Sequence, residues 1–100
     1  MKDKVFRLLG LAKKSGSLIS GYNTCIHYLD KNKVKLLIIA EDASDNTKGK
    51  FTELAVRKNI TYFIWGNKDD LSHWVGMENR SVLGIINENF ASAIISELSE

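Results

Sequence analysis

Proline is absent from the 100-residue sequence, and cysteine occurs once, at Cys25. A single thiol excludes an internal disulfide and a cysteine-rich metal cluster built within one chain. No apolar segment approaches the roughly 20 residues that a membrane-spanning helix needs. The first four residues, Met-Lys-Asp-Lys, also lack the apolar core of a signal peptide. We therefore expect a single cytoplasmic domain over residues 1–100, with no membrane contact.

Motifs for nucleotide binding and catalysis are missing as well. Neither GxGxxG nor GxxxxGK[ST] occurs, and no GxSxG elbow presents a nucleophilic serine. His27 and His73 have no acidic residue or cysteine at metal-ligand spacing. Glu41 and Asp42 are adjacent at the end of a strand, where neighbouring side chains point to opposite sides, which favours helix capping over acid–base chemistry. The sequence predicts a protein with no enzymatic activity, metal or cofactor.

The longest uninterrupted apolar run is Leu-Leu-Ile-Ile-Ala, at 36–40. Because it does not alternate with polar residues, it predicts a strand buried on both faces, at the centre of a sheet. Acidic residues follow at once, and the side chains at 44–46 are of the type that caps the next helix. In α/β sheets, ligands bind at the carboxyl edge of the strands, so this edge is the expected position of a site.

Helical and strand patterns alternate along the chain. Helices are expected at 2–14, from 21, at 47–58, at 67–75 and from 88; strands are expected at 17–20, 34–40, 60–65 and 82–86. Strand 60–65 should join the central strand through a right-handed crossover. Five helices and four strands in this order predict an α/β fold, a three-layer α/β/α sandwich.

Spacing within the helices assigns residues to buried sides. Tyr22, Ile26 and Leu29 share one face of the second helix. Leu71, Trp74 and Val75 are assigned to the buried side of the fourth. Gly16 and Asn59 are expected to end the first and third helices in the left-handed conformation, and Asn32 is expected to take a positive φ in a connection.

Charge is distributed unevenly between the two halves of the chain. Residues 1–50 hold ten Lys and Arg against five Asp and Glu, a net charge of +5, whereas residues 51–100 hold four against seven, a net charge of −3. This asymmetry is typical of a protein with one basic face. Lysines that simply decorate solvated helix faces would produce the same count.

The junction Gly21-Tyr22-Asn23 joins the first strand to the second helix. A helix N-terminus offers unpaired N–H groups and the positive end of the helix dipole, which together suit a phosphate. Glycine lets another backbone come close, and an asparagine amide offers both donor and acceptor to a base edge. The alternative is structural, because an asparagine near a helix start commonly acts as a cap.

Four segments together resemble the L7Ae/L30e family of ribosomal proteins, nearest its small bacterial YlxQ-type branch. They are 8–12 (LLGLA), 21–23 (GYN), 35–44 (KLLIIAEDAS) and Gly76 ahead of the last strand. The resemblance covers nearly the whole chain, and the strand followed by Ala-Glu-Asp-Ala-Ser is its most specific element. It implies an RNA-binding protein with a mixed sheet between helices.

The resemblance implies that better-known members recognise the sheared G·A pairs of a kink-turn through a signature of glycine, asparagine and glutamate. A lysine follows three residues after the glutamate. Gly21 and Asn23 match this signature, whereas Thr24 replaces the glutamate and His27 the lysine. At Thr24 a hydroxyl group therefore replaces the carboxylate as hydrogen-bond acceptor. At His27 the positive charge of the lysine is present only when the imidazole is protonated.

Other site residues follow from the same resemblance. The family's loop before the last strand shelters a flipped-out base, which assigns Met77 to base packing and Arg80 to a phosphate. Glu41 matches the acidic strand end beside the binding edge. Further candidates neutralise the RNA backbone: Lys13, Lys14, Lys35 and Lys48.

The sequence thus predicts a small, non-enzymatic RNA-binding protein, ribosome-associated and monomeric, that recognises folded, kink-turn-like RNA at the junction of the first strand and second helix. The alternative is a protein–protein interaction module that reuses the same fold, with its acidic second half as the docking surface. A hydrolase is disfavoured because no nucleophile and base occur together.

Overall fold

The computed structural model describes residues 2–100, which form five helices and four strands. The helices are α1 (Lys2–Lys14), α2 (Tyr22–Asp30), α3 (Asp45–Lys58), α4 (Lys68–Trp74) and α5 (Glu88–Leu98). The strands are β1 (Leu18–Ser20), β2 (Leu36–Ile39), β3 (Thr61–Ile64) and β4 (Val82–Ile85). Within these residues, no helix is both long enough and apolar enough to cross a membrane.

The strands form one mixed sheet in the order β1-β4-β2-β3. β4 is antiparallel to both of its neighbours, whereas β2 and β3 are parallel, as the predicted crossover through α3 requires. The two inner strands are buried along their whole length, because helices cover both faces of the sheet. The central position of the 36–40 run is therefore confirmed.

Helices flank the sheet in two groups. α1 packs against α4 and α5, and α2 meets α3 where the ring of Tyr22 contacts that of Phe51 edge-on, with centroids 5.1 Å apart. The predicted α/β/α sandwich with a four-stranded mixed sheet and five helices is confirmed.

Several helix ends are formed by the residues predicted for them. Gly16 has φ +74° after α1, Asn59 ends α3 in the left-handed conformation, and Asn32 has φ +57°. The Oγ of Ser44 accepts a hydrogen bond from the N–H of Thr47 at 3.1 Å. Because Ser44 is the N-cap, α3 begins at Asp45, two residues earlier than expected.

Two aromatic residues assigned to buried sides are exposed instead. Tyr22 retains 45% of its accessible surface and Trp74 retains 41%. Each lies at an end of its helix: Tyr22 is the first residue of α2 and Trp74 the last of α4. Their burial was predicted wrongly because helical spacing identifies a face without showing how far the sheet extends beneath it.

Candidate functional site

Four segments converge at one end of the sheet. The chain leaves β1, β2 and β3 there and enters β4, as three backbone hydrogen bonds show. The N–H of Gly21 donates to Val82 O at 3.0 Å, that of Ala40 to Ser81 O at 2.8 Å, and that of Glu41 to Gly66 O at 2.7 Å. We call this end of the sheet the carboxyl edge.

The N-terminus of α2 is open at the carboxyl edge. Gly21 is the N-cap, with φ +97° and ψ +156°, and the first bond of the helix joins the N–H of Cys25 to Gly21 O at 3.0 Å. The N–H groups of Tyr22, Asn23 and Thr24 therefore have no partner within the helix, and no side chain caps them. The first turn also contains no acidic residue.

The next three helices differ from α2 in this respect. Ser44, Asn67 and Asn87 each accept a hydrogen bond from a first-turn N–H, at 3.1, 2.8 and 3.0 Å respectively. Among these four helices, α2 alone has a glycine in place of a side-chain cap. Its amide hydrogens and the positive end of its dipole remain available to an external acceptor.

The side chains of the α2 signature lie on the outside of the helix. Asn23, Thr24 and His27 are all exposed, and no hydrogen bond to another described residue occupies the Asn23 amide. Asn23 and His27 are four residues apart and share a helix face. Since Gly21 is the N-cap, the interpretation of Asn23 as a structural cap is wrong.

Arg80 is held beside the open helix end. Its Nε donates to Ser20 Oγ at 3.2 Å, and its backbone N–H and C=O both bond to Ser72 Oγ, at 2.8 and 3.2 Å. No carboxylate of the described residues forms an ion pair with its guanidinium. The structure thus places a positioned and unpaired cation next to Gly21.

Met77 lies in the loop that leads to Arg80. It is half-buried, and its N–H bonds to Ser72 O at 2.9 Å. Its side chain lines a shallow cleft of about 480 Å³ together with His73, Asp69 and Glu78 among others. An apolar side chain is therefore available at the mouth of this cleft.

Glu41 and Asp42 have different surroundings. The Oδ1 of Asp42 accepts from the N–H of Lys68 at 2.8 Å, so Asp42 caps α4 rather than the helix that follows it in sequence. Glu41 is exposed, and no hydrogen bond of its carboxylate is present among residues 2–100. Of these two residues only Asp42 caps a helix, and the carboxylate of Glu41 is available to a ligand.

The four candidate lysines do not form one group. Lys48 lies in the first turn of α3 at the carboxyl edge, whereas Lys13 and Lys14 line a groove with Trp74. The N–H of Lys35 bonds to Ile85 O at 2.7 Å, at the opposite end of β2 and β4. The length of β2 therefore separates Lys35 from the carboxyl edge, so its predicted contact with the RNA backbone would lie outside this edge.

The charge at the carboxyl edge is mixed, so the basic face expected from the charge asymmetry does not lie along the whole of this edge. The basic side chains there are those of Lys48, Lys50, Lys68 and Arg80, and the acidic ones are Glu41, Asp42, Asp45, Asp69, Asp70 and Glu78. Two of the carboxylates are engaged at the start of α4, Asp42 with Lys68 N–H and Asp70 with the Asn67 amide at 3.0 Å. The edge thus carries four basic and six acidic side chains, and Arg80 is the cation that lies beside Gly21.

Cys25 lies directly beneath the open helix end. It is fully buried, and burial raises the pKa of its thiol from 9.0 to about 12. A thiol in this environment stays protonated and is a core residue rather than a nucleophile. Across the described part of the chain, no three His, Cys, Asp or Glu side chains are placed to hold a metal ion.

Sequence patterns did not identify Ser20 and Ser72 as supports of Arg80. A serine that binds a backbone eight residues away, or a side chain 60 residues away, leaves no periodic signal. The pairing of β1 with β4 brings Ser20 to Arg80, and the loop that follows α4 brings Arg80 back to Ser72.

Five helices around a mixed four-stranded sheet, with one uncapped helix end at the carboxyl edge, define a small α/β/α sandwich protein. The chain belongs to the ribosomal protein L7Ae/L30e/S12e/Gadd45 family, whose model matches residues 3–96.

Two relatives in the family are described as RNA-binding protein YlxQ. The protein of Bacillus subtilis is 32% identical over 93 residues, which is 93% of each chain. That of Enterococcus faecium is 31% identical over 90 residues, covering 90% of this chain and 86% of the relative.

Solved structures show the same fold. A Bacillus halodurans protein of unknown function matches with a TM-score of 0.93 and 27% identity, covering 97% of this chain and 98% of the other. The 15.5 kD RNA-binding protein of Giardia lamblia matches with a TM-score of 0.82, covering 98% of this chain and 87% of its own. At 19% identity, the second likeness shows the fold alone.

Proposed function

We propose that this protein binds folded RNA at the carboxyl edge, through the turn from β1 to α2. The observation that carries this proposal is the uncapped α2 end, which presents the exposed amide of Asn23 and has the unpaired guanidinium of Arg80 beside Gly21. Family membership and the description of two relatives as RNA-binding proteins support it.

Each group at the α2 end suits a particular part of RNA. The free N–H groups at 22–24 suit a phosphate, and Gly21, which has no side chain, lets the Arg80 side chain lie close beside them. Asn23 can pair with a base edge through donor and acceptor at once. Arg80, already oriented by Ser20, can bind a second phosphate without losing much side-chain entropy on binding.

The remaining predicted residues act around this centre. Thr24 and His27 extend the α2 face, and Glu41 lies near enough in the fold to orient groups at the same edge. Met77 offers an apolar contact for an unstacked base. Lys48 neutralises the RNA backbone at this edge, and Lys13 and Lys14 do so on the α1 side.

Within this proposal, the RNA has a kink-turn-like fold and the protein acts as a monomeric, non-enzymatic, ribosome-associated factor in the cytoplasm. Thr24 and His27 replace two charged residues of the family signature. Recognition therefore depends more on Asn23 and on the helix end than on side-chain charge.

Gel retardation with a kink-turn RNA tests the proposal. The control RNA replaces the sheared G·A pairs with Watson–Crick pairs and keeps the length. We expect tighter binding to the kink-turn RNA, with an affinity that falls steeply as salt rises, because phosphate contacts release counterions.

No retardation of either RNA at low salt would contradict the proposal. It would favour the alternative of a protein-interaction module, for which the acidic side chains around Asp69 and Glu78 would be the docking surface.

A further inference from the structure

A second concave surface lies between α1 and α4. This α1–α4 groove has a volume of about 500 Å³, and its lining includes Leu11 and Trp74 with the basic side chains of Arg7, Lys13 and Lys14. Its lining contains none of the signature residues of α2.

Close approach of the two helices forms the base of the groove. A Cβ on Gly10 would lie 3.2 Å from Trp74 O, so α1 passes the end of α4 almost backbone to backbone. Gly76, with φ +68°, then turns the chain away from α4. The groove is therefore a fixed feature of helix packing.

Trp74 presents a planar surface in this groove. The ring of Phe6, itself 8% exposed, stacks on Trp74 with centroids 5.6 Å apart and an interplanar angle of 15°. Phe6 thus packs against the indole, and the ring of His73 meets it edge-on with centroids 6.1 Å apart, while 41% of Trp74 remains exposed to an occupant of the groove. A flat ligand can extend the stack that Phe6 begins.

The charge of the groove has one sign. Arg7, Lys13 and Lys14 lie along the α1 side and His73 on the α4 side, and no Asp or Glu lines the surface. No carboxylate within residues 2–100 pairs with any of these three α1 cations. A ligand that combines negative charge with an apolar, planar part is therefore complementary to this lining.

The groove is continuous with the site at the carboxyl edge. His73 lines both the α1–α4 groove and the neighbouring cleft that contains Met77. The loop from Met77 leads directly to Arg80 beside Gly21. A chain that leaves the α2 end along this loop reaches Trp74 without crossing the sheet.

We propose that the α1–α4 groove binds single-stranded RNA, with one base stacked on Trp74 and the flanking phosphates on Arg7, Lys13 and Lys14. A single-stranded nucleotide combines a planar base with an anionic backbone, whereas an acidic peptide would not require an exposed indole ring. The proposal extends the proposed function, because it adds a sequence-tolerant contact for RNA that leaves the folded element.

Fluorescence of Trp74 tests this directly. The Trp65→Phe variant leaves Trp74 as the single tryptophan. We expect a 12-nucleotide oligouridylate or oligoadenylate to quench its emission saturably at low salt, and added salt to reverse the quenching.

Variants on the same background identify the groups involved. The double variant Arg7→Ala/Lys14→Ala should weaken binding and reduce the slope of log affinity against log salt by about 2. Lys31→Ala, an exposed lysine at the end of α2, is the matched control and should leave both unchanged. On the otherwise unmodified chain, gel retardation should show Trp74→Ala binding the oligonucleotide about 5- to 150-fold more weakly, with Trp74→Phe closer to the parent protein.

Two results would overturn the proposal. One is an absence of quenching at low salt by either oligonucleotide; the other is quenching by oligoglutamate alone, which would make the groove a protein interface. Asn23→Ala separates this proposal from the previous one. This variant should lose kink-turn binding and keep the quenching by oligonucleotides. The two proposals can therefore be contradicted independently of each other.

Discussion

The side chain of Arg80 lies beside Gly21. Its Cδ and Nε are each 3.8 Å from the position that a Cβ on Gly21 would occupy, and its Cζ is 4.0 Å away. The two residues are 59 positions apart in sequence and meet because β1 pairs with β4. A cation and an uncapped helix end therefore converge on one point of the surface.

Gly21→Ala tests the backbone requirement at this point. With φ +97° and ψ +156°, Gly21 occupies a region that is almost restricted to glycine, while an added methyl group would make only ordinary contact with Arg80. We expect the free energy of unfolding to fall by about 1–3 kcal/mol in urea denaturation. Gly49→Ala, at an open helical position of α3, is the control and should stabilise the protein by about 0.5–1 kcal/mol.

Asn23→Ala should weaken RNA binding without affecting folding. The side chain is exposed and caps no helix, so we expect the thermal midpoint to stay nearly constant. Kink-turn affinity should fall by about 1–3 kcal/mol if the amide pairs with a base. Asn89→Ala, exposed on α5, is the matched control. Unchanged affinity together with a lower midpoint would assign Asn23 a structural role instead.

Thr24→Glu/His27→Lys restores the family signature on the exposed face of α2. Both side chains are exposed, so the double variant should fold with little change in stability. We expect tighter binding to kink-turn RNA, because position 24 gains a carboxylate acceptor, and a steeper dependence on salt, because the permanent charge at position 27 can contact a phosphate. Isothermal titration at two salt concentrations measures both. Equal affinity for kink-turn and control RNAs after the change would contradict a kink-turn ligand.

Asp42→Ala removes the carboxylate that caps α4. The loss of the 2.8 Å bond to the N–H of Lys68 should cost about 0.5–2 kcal/mol of stability. Asp42→Asn keeps an acceptor and should recover most of this loss. Glu41→Ala, at the adjacent exposed position, should change the free energy of unfolding by less than about 0.5 kcal/mol. Equal destabilisation by both alanine variants would show that the cap is not the cause.

We expect the buried thiol of Cys25 to lower the free energy of unfolding at alkaline pH. The pKa of its thiol is raised by burial from 9.0 to about 12, so between these values the unfolded chain releases a proton that the folded chain keeps. Below pH 9 the thiol is protonated in both states, and its contribution to the free energy of unfolding is fully present. As pH rises from 9 toward 12, the free energy of unfolding falls by about 1.4 kcal/mol per pH unit. The difference in unfolding free energy between the parent and Cys25→Ala, followed from pH 8 to 11, measures it. A constant difference would contradict the prediction.

Local sequence signals were sufficient for most of the fold. The run at 36–40 forms a strand buried on both faces, and Ser44 and Asn59 delimit α3 through side-chain capping and a left-handed conformation, both of which depend on nearby residues. Each of these signals depends only on residues within a few positions of one another in the chain. The carboxyl edge was likewise predictable, because the direction of a buried strand determines where its acidic end lies.

Features that depend on distant segments were not predictable in the same way. Lys35 precedes β2 and so lies at the opposite edge from Arg80, which the charge count of the first half does not show. Trp74 has the spacing of a core residue, yet it remains 41% exposed at the end of α4, although Phe6 packs against its ring. The α1–α4 groove requires two helices to meet at Gly10, and no pattern within either helix predicts that meeting.

β1 pairs only with β4, and this has a consequence for folding during biosynthesis. β1 has no other strand partner, so a nascent polypeptide that ends before Val82 has neither a sheet neighbour for β1 nor an acceptor for the N–H of Gly21. Arg80, translated just ahead of that strand, reaches its place beside Gly21 only when β4 inserts between β1 and β2. The contacts that complete the turn from β1 to α2 are therefore available only after Val82 has been synthesised.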